Sequence, residues 1–129
     1  MKTPKDHIPY ITLPSFIRRV LKAYALKILI REQGCEINRI GRSRNWQLKA
    51  TFEQLEQTIN VIEQSEETSW HWLAVHLSKQ SKNLGFNMLL TIAQKKPDIT
   101  VSELMHRTDC TIAEARRVID TLEFGENSP

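Results

Sequence analysis

The sequence has 129 residues, of which 40% are hydrophobic and 26% charged, so it is long enough for one ordinary domain or two small ones and too apolar to be disordered throughout. No apolar run approaches the roughly 20 residues that span a bilayer, and the amino terminus has Asp6 and two prolines where a signal peptide would have its apolar segment. We therefore expect a cytoplasmic protein with no membrane partner. Two cysteines, Cys35 and Cys110, are too few for a disulfide framework.

The positive charge is concentrated in the first half of the chain. Residues 1–50 contain eleven Lys and Arg against three Asp and Glu, whereas residues 51–129 contain seven against twelve, which gives the net charge of +3. Such asymmetry is typical of a chain in which one part binds nucleic acid and the other has a different task. The densest stretch is Arg39–Lys49, RIGRSRNWQLK, with four cationic side chains, one tryptophan and no acid.

The first half predicts a small α+β unit. Ile8–Leu13 alternates like a short strand, and from Phe16 the apolar residues recur with the period of one amphipathic helix, which Ser15 could cap and Gly34 could end. The runs CEINRIG and RSRNWQLKA predict two antiparallel strands. Thr51 and Gln54 then form the capping box of a second helix. We predict a β-α-β-β-α unit with helices on one face of the sheet.

The second half predicts helices throughout. A helix begins near Ser69 and ends near Asn83 and Gly85, and another follows before Pro97. Two more helices, over about 101–108 and 112–124, each start at a Thr–Glu capping box and complete a three-helix bundle. The predicted fold is therefore α+β, with a basic unit over residues 1–82 and an acidic helical bundle over residues 83–129.

The stretch Val101–Asp120 also fits a helix-turn-helix pattern. Its interior positions hold Leu104, Cys110, Ala115 and Val118, and the residues that would contact DNA are Thr111, Arg116 and Arg117. Asp109 stands where glycine usually makes the turn. Residues 97–129 contain three arginines against seven acids, so a DNA-binding helix here would lack the surrounding cations that attract phosphates. A transcriptional regulator is the alternative function.

The same stretch resembles the ubiquitin-associated type of bundle, notably the amino-terminal bundle of elongation factor Ts. The resemblance lies in Glu103, Leu104 and Thr108, followed by a helix that carries EARRVID. It implies a protein partner bound through a small apolar patch. A bundle that only packs on the rest of the protein also stays open, and a protein-interaction adaptor is the third candidate function.

The basic cluster is the strongest candidate for a binding site. Guanidinium groups form forked hydrogen bonds to phosphate oxygens, and an exposed tryptophan can stack on a base. Trp46 shares a strand face with Leu48 and Ala50, which favours a core position for its ring over an exposed one. The candidate RNA-binding residues are Arg18, Arg19, Lys22, Arg39, Arg42, Arg44, Trp46 and Lys49.

Two motifs in the basic half point to a family. ITLPSFIRR, from Ile11 to Arg19, and RSRNWQL, from Arg42 to Leu48, resemble the motifs of a small bacterial ribosome-recycling-factor-like family over about the first 50 residues. The resemblance implies a link to translation. Together with the charge pattern, it favours a factor that binds RNA or the ribosome through the basic half.

No set of residues in the sequence predicts catalysis, a metal or a cofactor. His71 and His76 are five residues apart, so one helix would point them in different directions, unlike an i, i+4 zinc pair. The phosphate-binding and nucleophile motifs of common enzymes are missing from the sequence. We therefore expect a protein that is not an enzyme.

Overall fold

The computed structural model describes residues 8–124. Within this range the chain forms two compact units, residues 8–81 and residues 82–124. The described part has one three-stranded sheet and six α-helices, which confirms the predicted α+β class.

The sheet of the first unit is antiparallel, with β3 between the other two strands. It consists of β1 (Tyr10–Leu13), β2 (Glu36–Arg39) and β3 (Trp46–Lys49), in the order β1-β3-β2. Ile11 and Ile37 both stand opposite Leu48, and all three are buried. Because side chains alternate along a strand, the opposite face carries Tyr10, Thr12, Glu36, Asn38, Gln47 and Lys49.

The single helix predicted from Phe16 is wrong, because the segment forms two helices. These are α1 (Phe16–Arg19) and α2 (Ala23–Glu32), separated by Val20 in an extended conformation and by Lys22 at φ +53°. The break has a physical cause at Leu21. Its amide donates to the Ser69 hydroxyl at 2.9 Å, and its carbonyl accepts from the Trp70 indole at 2.7 Å, so tertiary hydrogen bonds replace those of a continuous helix.

The predicted cap at the start of α1 does not form, whereas the predicted glycine at the end of α2 does end that helix. Ser15 occupies the predicted N-cap position of α1, but its φ is +52° and its side chain makes no capping hydrogen bond. Gly34 follows α2 at φ +91°, and its amide donates to the carbonyl of Arg31, as expected for a glycine that ends a helix. The capping box predicted at Thr51 and Gln54 is present and begins α3 (Phe52–Glu63).

The core of the first unit lies between the inner sheet face and its helices. Its fully buried side chains include Leu13, Phe16, Leu26, Ile30, Ile37, Leu48, Leu55, Ile62, Leu73 and Leu77. Two polar groups are buried beside them, since the Cys35 thiol and the hydroxyl of Thr58 lie 3.3 Å apart. Burial raises the pKa of the Cys35 thiol, so this cysteine stays protonated and inert at neutral pH.

A long helix replaces the helix end predicted at Asn83 and Gly85. A short 3₁₀ turn at Thr68–Trp70 leads into α4 (His71–Gln94), which continues through both residues. Gly85 is buried inside this helix. A glycine in a helix interior costs only about 1 kcal/mol relative to alanine, and burial of other side chains of α4, such as Leu77, Met88 and Leu89, exceeds that cost.

The second unit is helical, as predicted. The end of α4 is followed by α5 (Val101–Thr108) and α6 (Ile112–Phe124), which match the predicted bounds. The four positions predicted to face the interior are buried: Leu104, Cys110, Ala115 and Val118. Asp109 ends α5 at φ +56° and thus adopts the conformation that glycine usually provides in this turn.

Candidate nucleic-acid interface

A cleft at one end of the sheet collects part of the predicted basic cluster. It has a volume of ≈ 300 Å³ and is lined by Ile17, Arg18, Arg39, Ser43, Arg44 and Trp46. We call these six residues the basic cleft. Arg18 comes from the last turn of α1, Arg39 from the end of β2, and Arg44 from the loop that leads into β3. Side chains more than twenty residues apart in the sequence therefore meet at one site.

Arg39 orders the loop that forms one wall of the basic cleft. Its Nε donates to the carbonyl of Ser43 at 2.8 Å, and its Nη2 donates to the carbonyl of Arg42 at 2.9 Å. The Ser43 hydroxyl in turn donates to the carbonyl of Ile40 at 2.7 Å. These bonds fix the loop between β2 and β3 before any ligand binds, which lowers the entropic cost of binding.

A second contact connects this loop with α1. The side-chain oxygen of Asn45 accepts a hydrogen bond from the backbone amide of Ser15 at 3.2 Å. Ser15 directly precedes the helix that carries Arg18. The bond therefore fixes the loop that carries Arg44 relative to the helix that carries Arg18.

Trp46 lines the basic cleft and is half-buried. It shares the inner sheet face with Leu48, as predicted, and its ring centroid lies 5.9 Å from that of Phe16, but it is not a core residue. The ammonium of Lys27 lies 4.8 Å from the centroid of the Trp46 ring. This cation–π contact adds a further positive charge beside the cleft.

The cations of the basic cleft have no acidic partners in the described chain. Within residues 8–124 neither Arg18, Arg39 nor Arg44 forms an ion pair, and the ion pair found there joins Lys96 and Glu103 in the second unit. Like charges that converge without carboxylates repel one another, so an external anion would relieve the repulsion.

The other predicted RNA-binding residues do not line the cleft. The guanidinium of Arg19 lies over the ring of Trp72, 4.8 Å from its centroid. Lys22 occupies the turn before α2, where its charge acts on Glu67. Lys49 lies on the opposite sheet face, 5.4 Å from the ring centroid of Tyr10. Arg42 is exposed in the cleft loop, which it supports through its carbonyl.

The residues predicted to contact DNA lie in the second unit. The Thr111 hydroxyl accepts from the amide of Glu114 at 3.1 Å, so it is engaged in starting α6. Arg116 and Arg117 are both exposed, but the Arg117 guanidinium lies over the ring of Phe86, 4.7 Å from its centroid. The helix therefore presents one uncommitted arginine, Arg116, next to acidic neighbours.

Comparison with known families identifies the group to which this chain belongs. The sequence model of a family described as "Ribosome recycling factor" matches residues 9–123, far beyond the two motifs in the first 50 residues. The chain belongs to this ribosome recycling factor-like family. Membership gives the chain a translation-related role. No curated protein and no solved structure gives a significant match to it.

Three residues of this ribosome recycling factor-like chain matter at the site but were not predicted there. Ile17 lines the cleft, Lys27 lies over Trp46, and Tyr24 lies 6.0 Å from the Lys27 ammonium. The helical period of the apolar residues predicts a buried face for Ile17 and Tyr24, so their exposure beside the cleft could not be predicted from the sequence.

Two properties of residues 8–124 concern metal binding and membrane insertion. Among residues 8–124 there is no group of three or more His, Cys, Asp or Glu side chains that could hold a metal ion. Over the same residues, no helix is both long and apolar enough to cross a bilayer. The family is not known for an enzymatic activity.

Proposed function

We propose that this protein is a non-enzymatic factor of translation that binds RNA, alone or within the ribosome, through the phosphates it holds in the basic cleft. The observation that supports this proposal is the convergence of Arg18, Arg39 and Arg44 on one cleft without a carboxylate partner in the described chain. The family match supports the translation-related part of the proposal.

The chemistry of the cleft suits a phosphate group. Each guanidinium is planar, stays charged at any physiological pH and offers several donors in a fork that matches two phosphate oxygens. Arg39 donates two hydrogen bonds to loop carbonyls, and these bonds hold its guanidinium charge in a fixed position. Arg18 and Arg44, which make no hydrogen bonds through their side chains within residues 8–124, are the residues we assign to direct phosphate contacts.

DNA binding by α5 and α6 is the alternative. The turn at Asp109 and the buried interior of this pair agree with a helix-turn-helix arrangement. The exposed side of α6, however, presents Asp120 and Glu123 together with Arg116. Two carboxylates facing a phosphate backbone oppose the electrostatic attraction on which most DNA affinity depends, so the basic cleft is the better candidate.

A protein partner is the third candidate and would use the second unit. An apolar groove of ≈ 280 Å³ is lined there by Ala93, Gln94, Pro97, Ile99, Ile119, Leu122 and Glu123. Its apolar floor would suit a hydrophobic side chain of a protein. This role is compatible with RNA binding by the first unit.

Sedimentation of cell lysate through sucrose gradients tests the proposal. We expect the full-length chain to migrate with ribosomal subunits at low salt and to stay at the top of the gradient at high salt, because counterions screen phosphate contacts. The variant Arg18→Gln/Arg44→Gln should stay at the top under both conditions. The matched control Arg116→Gln/Arg117→Gln, which loses the same charge from the second unit, should migrate like the wild type. Migration at the top by the wild type at low salt would overturn the proposal.

A further inference from the structure

An exposed apolar surface adjoins the basic cleft. Four large hydrophobic side chains within the twelve residues 17–28 are exposed to solvent: Ile17, Leu21, Tyr24 and Ile28. Leu21 is 65% exposed and Tyr24 is 76% exposed. Scattered apolar residues on a surface are ordinary, whereas several exposed ones within one short segment favour a binding surface.

The structure holds this surface in place. Leu21 has both backbone groups bound by the 3₁₀ turn, through the Ser69 hydroxyl and the Trp70 indole, while its side chain points into solvent. Lys22 follows in a left-handed conformation that costs a non-glycine residue about 1 kcal/mol or more. Backbone strain of this kind persists where the surrounding contacts impose it, and it concentrates at functional sites.

The aromatic ring on this surface is linked to the cleft through one cation. The Lys27 ammonium lies 6.0 Å from the ring centroid of Tyr24 and 4.8 Å from that of Trp46, which lines the cleft. Ile17 belongs to both the apolar surface and the cleft. An exposed ring therefore stands beside the basic cleft, with a positive charge between them.

We propose that Tyr24 stacks on an unpaired base of single-stranded RNA whose phosphates are held in the basic cleft. This inference rests on the proposed function and deepens it. A single strand presents both apolar base faces and anionic phosphates, so it matches a surface that combines an exposed ring with cations. A duplex hides its base faces, and an apolar protein helix would leave the cations of the cleft without counter-charges.

Binding of short RNAs to the full-length chain tests this inference. The probes are a fluorescein-labelled single strand of about 12 nucleotides without self-complementarity and the duplex formed with its complement. Tyr24→Leu should weaken binding of the single strand by about tenfold, because stacking of one base on an aromatic ring is lost. The salt dependence of single-strand binding should be the same for Tyr24→Leu and the wild type, since no charge is removed. Tyr24→Phe, which keeps the ring, should bind like the wild type.

A matched control separates stacking on Tyr24 from a general effect of removing a tyrosine. Tyr10 is also exposed, but it lies on the opposite sheet face and not at the cleft. Tyr10→Leu should therefore leave the single-strand affinity unchanged. Tyr24→Leu should also leave affinity for the duplex unchanged.

The outcomes distinguish this inference from the proposed function. If Arg18→Gln/Arg44→Gln weakens binding while Tyr24→Leu has no effect, stacking on Tyr24 is overturned and phosphate binding stands. If neither change affects RNA affinity, both are overturned. If Tyr24→Leu lowers ribosome association but not single-strand affinity, the surface binds a protein and the inference is wrong. An equal loss for single strand and duplex would also contradict it.

Discussion

The indole Nε1 of Trp70 donates a hydrogen bond to the carbonyl of Leu21 at 2.7 Å, across 49 residues of sequence. The bond joins the start of the long helix to the turn that separates α1 from α2. It also explains why the chain leaves the helical path predicted from the spacing of its apolar residues. Together with the bond from the Leu21 amide to the Ser69 hydroxyl, it leaves neither backbone group of Leu21 without a partner where the helix is interrupted.

Two tryptophans two residues apart allow a test of this bond. Trp70→Phe should lower the free energy of unfolding by about 2 kcal/mol, because it removes the bond to Leu21 and leaves a gap in the core. The Nε1 of Trp72 is buried without a hydrogen-bond partner among the described residues, so Trp72→Phe removes an unsatisfied donor and should cost less than about 1 kcal/mol. Urea denaturation of both variants measures the difference. Equal losses would contradict the account.

The turn between α5 and α6 offers a test of backbone conformation. Asp109 adopts φ +56°, a conformation that is strained for residues other than glycine, and its side chain is exposed. Asp109→Gly should therefore raise the free energy of unfolding by about 0.5 kcal/mol, whereas Asp109→Val should lower it by about 1–2 kcal/mol. Thermal denaturation of the two variants measures both effects. A stability loss in Asp109→Gly would show that its side chain, and not its backbone, matters there.

Two glycines with positive φ separate strain from crowding. A Cβ on Gly34 would lie 2.6 Å from Nε2 of Gln54, the residue whose side chain completes the capping box with Thr51. At Gly41 a Cβ would meet nothing within 4 Å. Gly41→Ala should cost about 1 kcal/mol through backbone strain alone, and Gly34→Ala should cost about 1 kcal/mol more because it displaces the capping side chain.

The comparison of these two variants by urea denaturation carries its own internal control. Adding Gln54→Ala to each variant removes the side chain that crowds Gly34. The extra cost of Gly34→Ala should then disappear, while that of Gly41→Ala should not change. An extra cost that persists would place the crowding elsewhere.

The hydrogen bonds to the Glu67 carboxylate predict that the stability of the fold depends on pH. Its carboxylate accepts hydrogen bonds from the hydroxyl and the amide of Ser69, at 2.9 and 3.2 Å, and these bonds lower the pKa of Glu67 below its ordinary value of 4.5. A pKa lowered by folding means that the carboxylate stabilises the fold above pH 4.5 and that this contribution is lost as the pH falls through the lowered pKa.

The variant Glu67→Gln should therefore be less stable than the wild type at pH 7, and the two should approach each other at pH 3. Urea denaturation at both values measures the difference. Glu66→Gln is the matched control, because Glu66 is exposed and makes no hydrogen bond through its side chain within residues 8–124. A gap between wild type and Glu67→Gln that does not narrow at low pH would contradict the assignment.

Local signals in the sequence predicted most of the elements. The helices α3, α5 and α6 begin after the capping residues Thr51, Thr100 and Thr111. The hydroxyl of each accepts a hydrogen bond from an amide three residues later, so these starts depend only on neighbouring residues. Alternation predicted which residues of β3 face inward. The break at Leu21 could not be predicted in this way, since it depends on Ser69 and Trp70, which are distant in the sequence.

The candidate site was predicted in composition but not in arrangement. The sequence grouped eight residues by proximity and charge, but the pairing of β2 with β3 sets Arg39 opposite Trp46 and therefore on the other sheet face from Lys49. Arg19 lies over Trp72, which no local pattern connects with it. Arg18 lines the cleft because the hydrogen bond from the Ser15 amide to Asn45 joins the cleft loop to the start of α1.

The salt dependence of RNA binding tests the central claim most directly. For a single-stranded RNA, each phosphate contact contributes about 0.7 to the slope of log affinity against log salt concentration. Arg18→Gln/Arg44→Gln should make that slope shallower by about 1.4, and Arg116→Gln/Arg117→Gln should leave it unchanged. A slope that is unaltered by the first pair, or that falls only with the second, would contradict phosphate binding in the basic cleft.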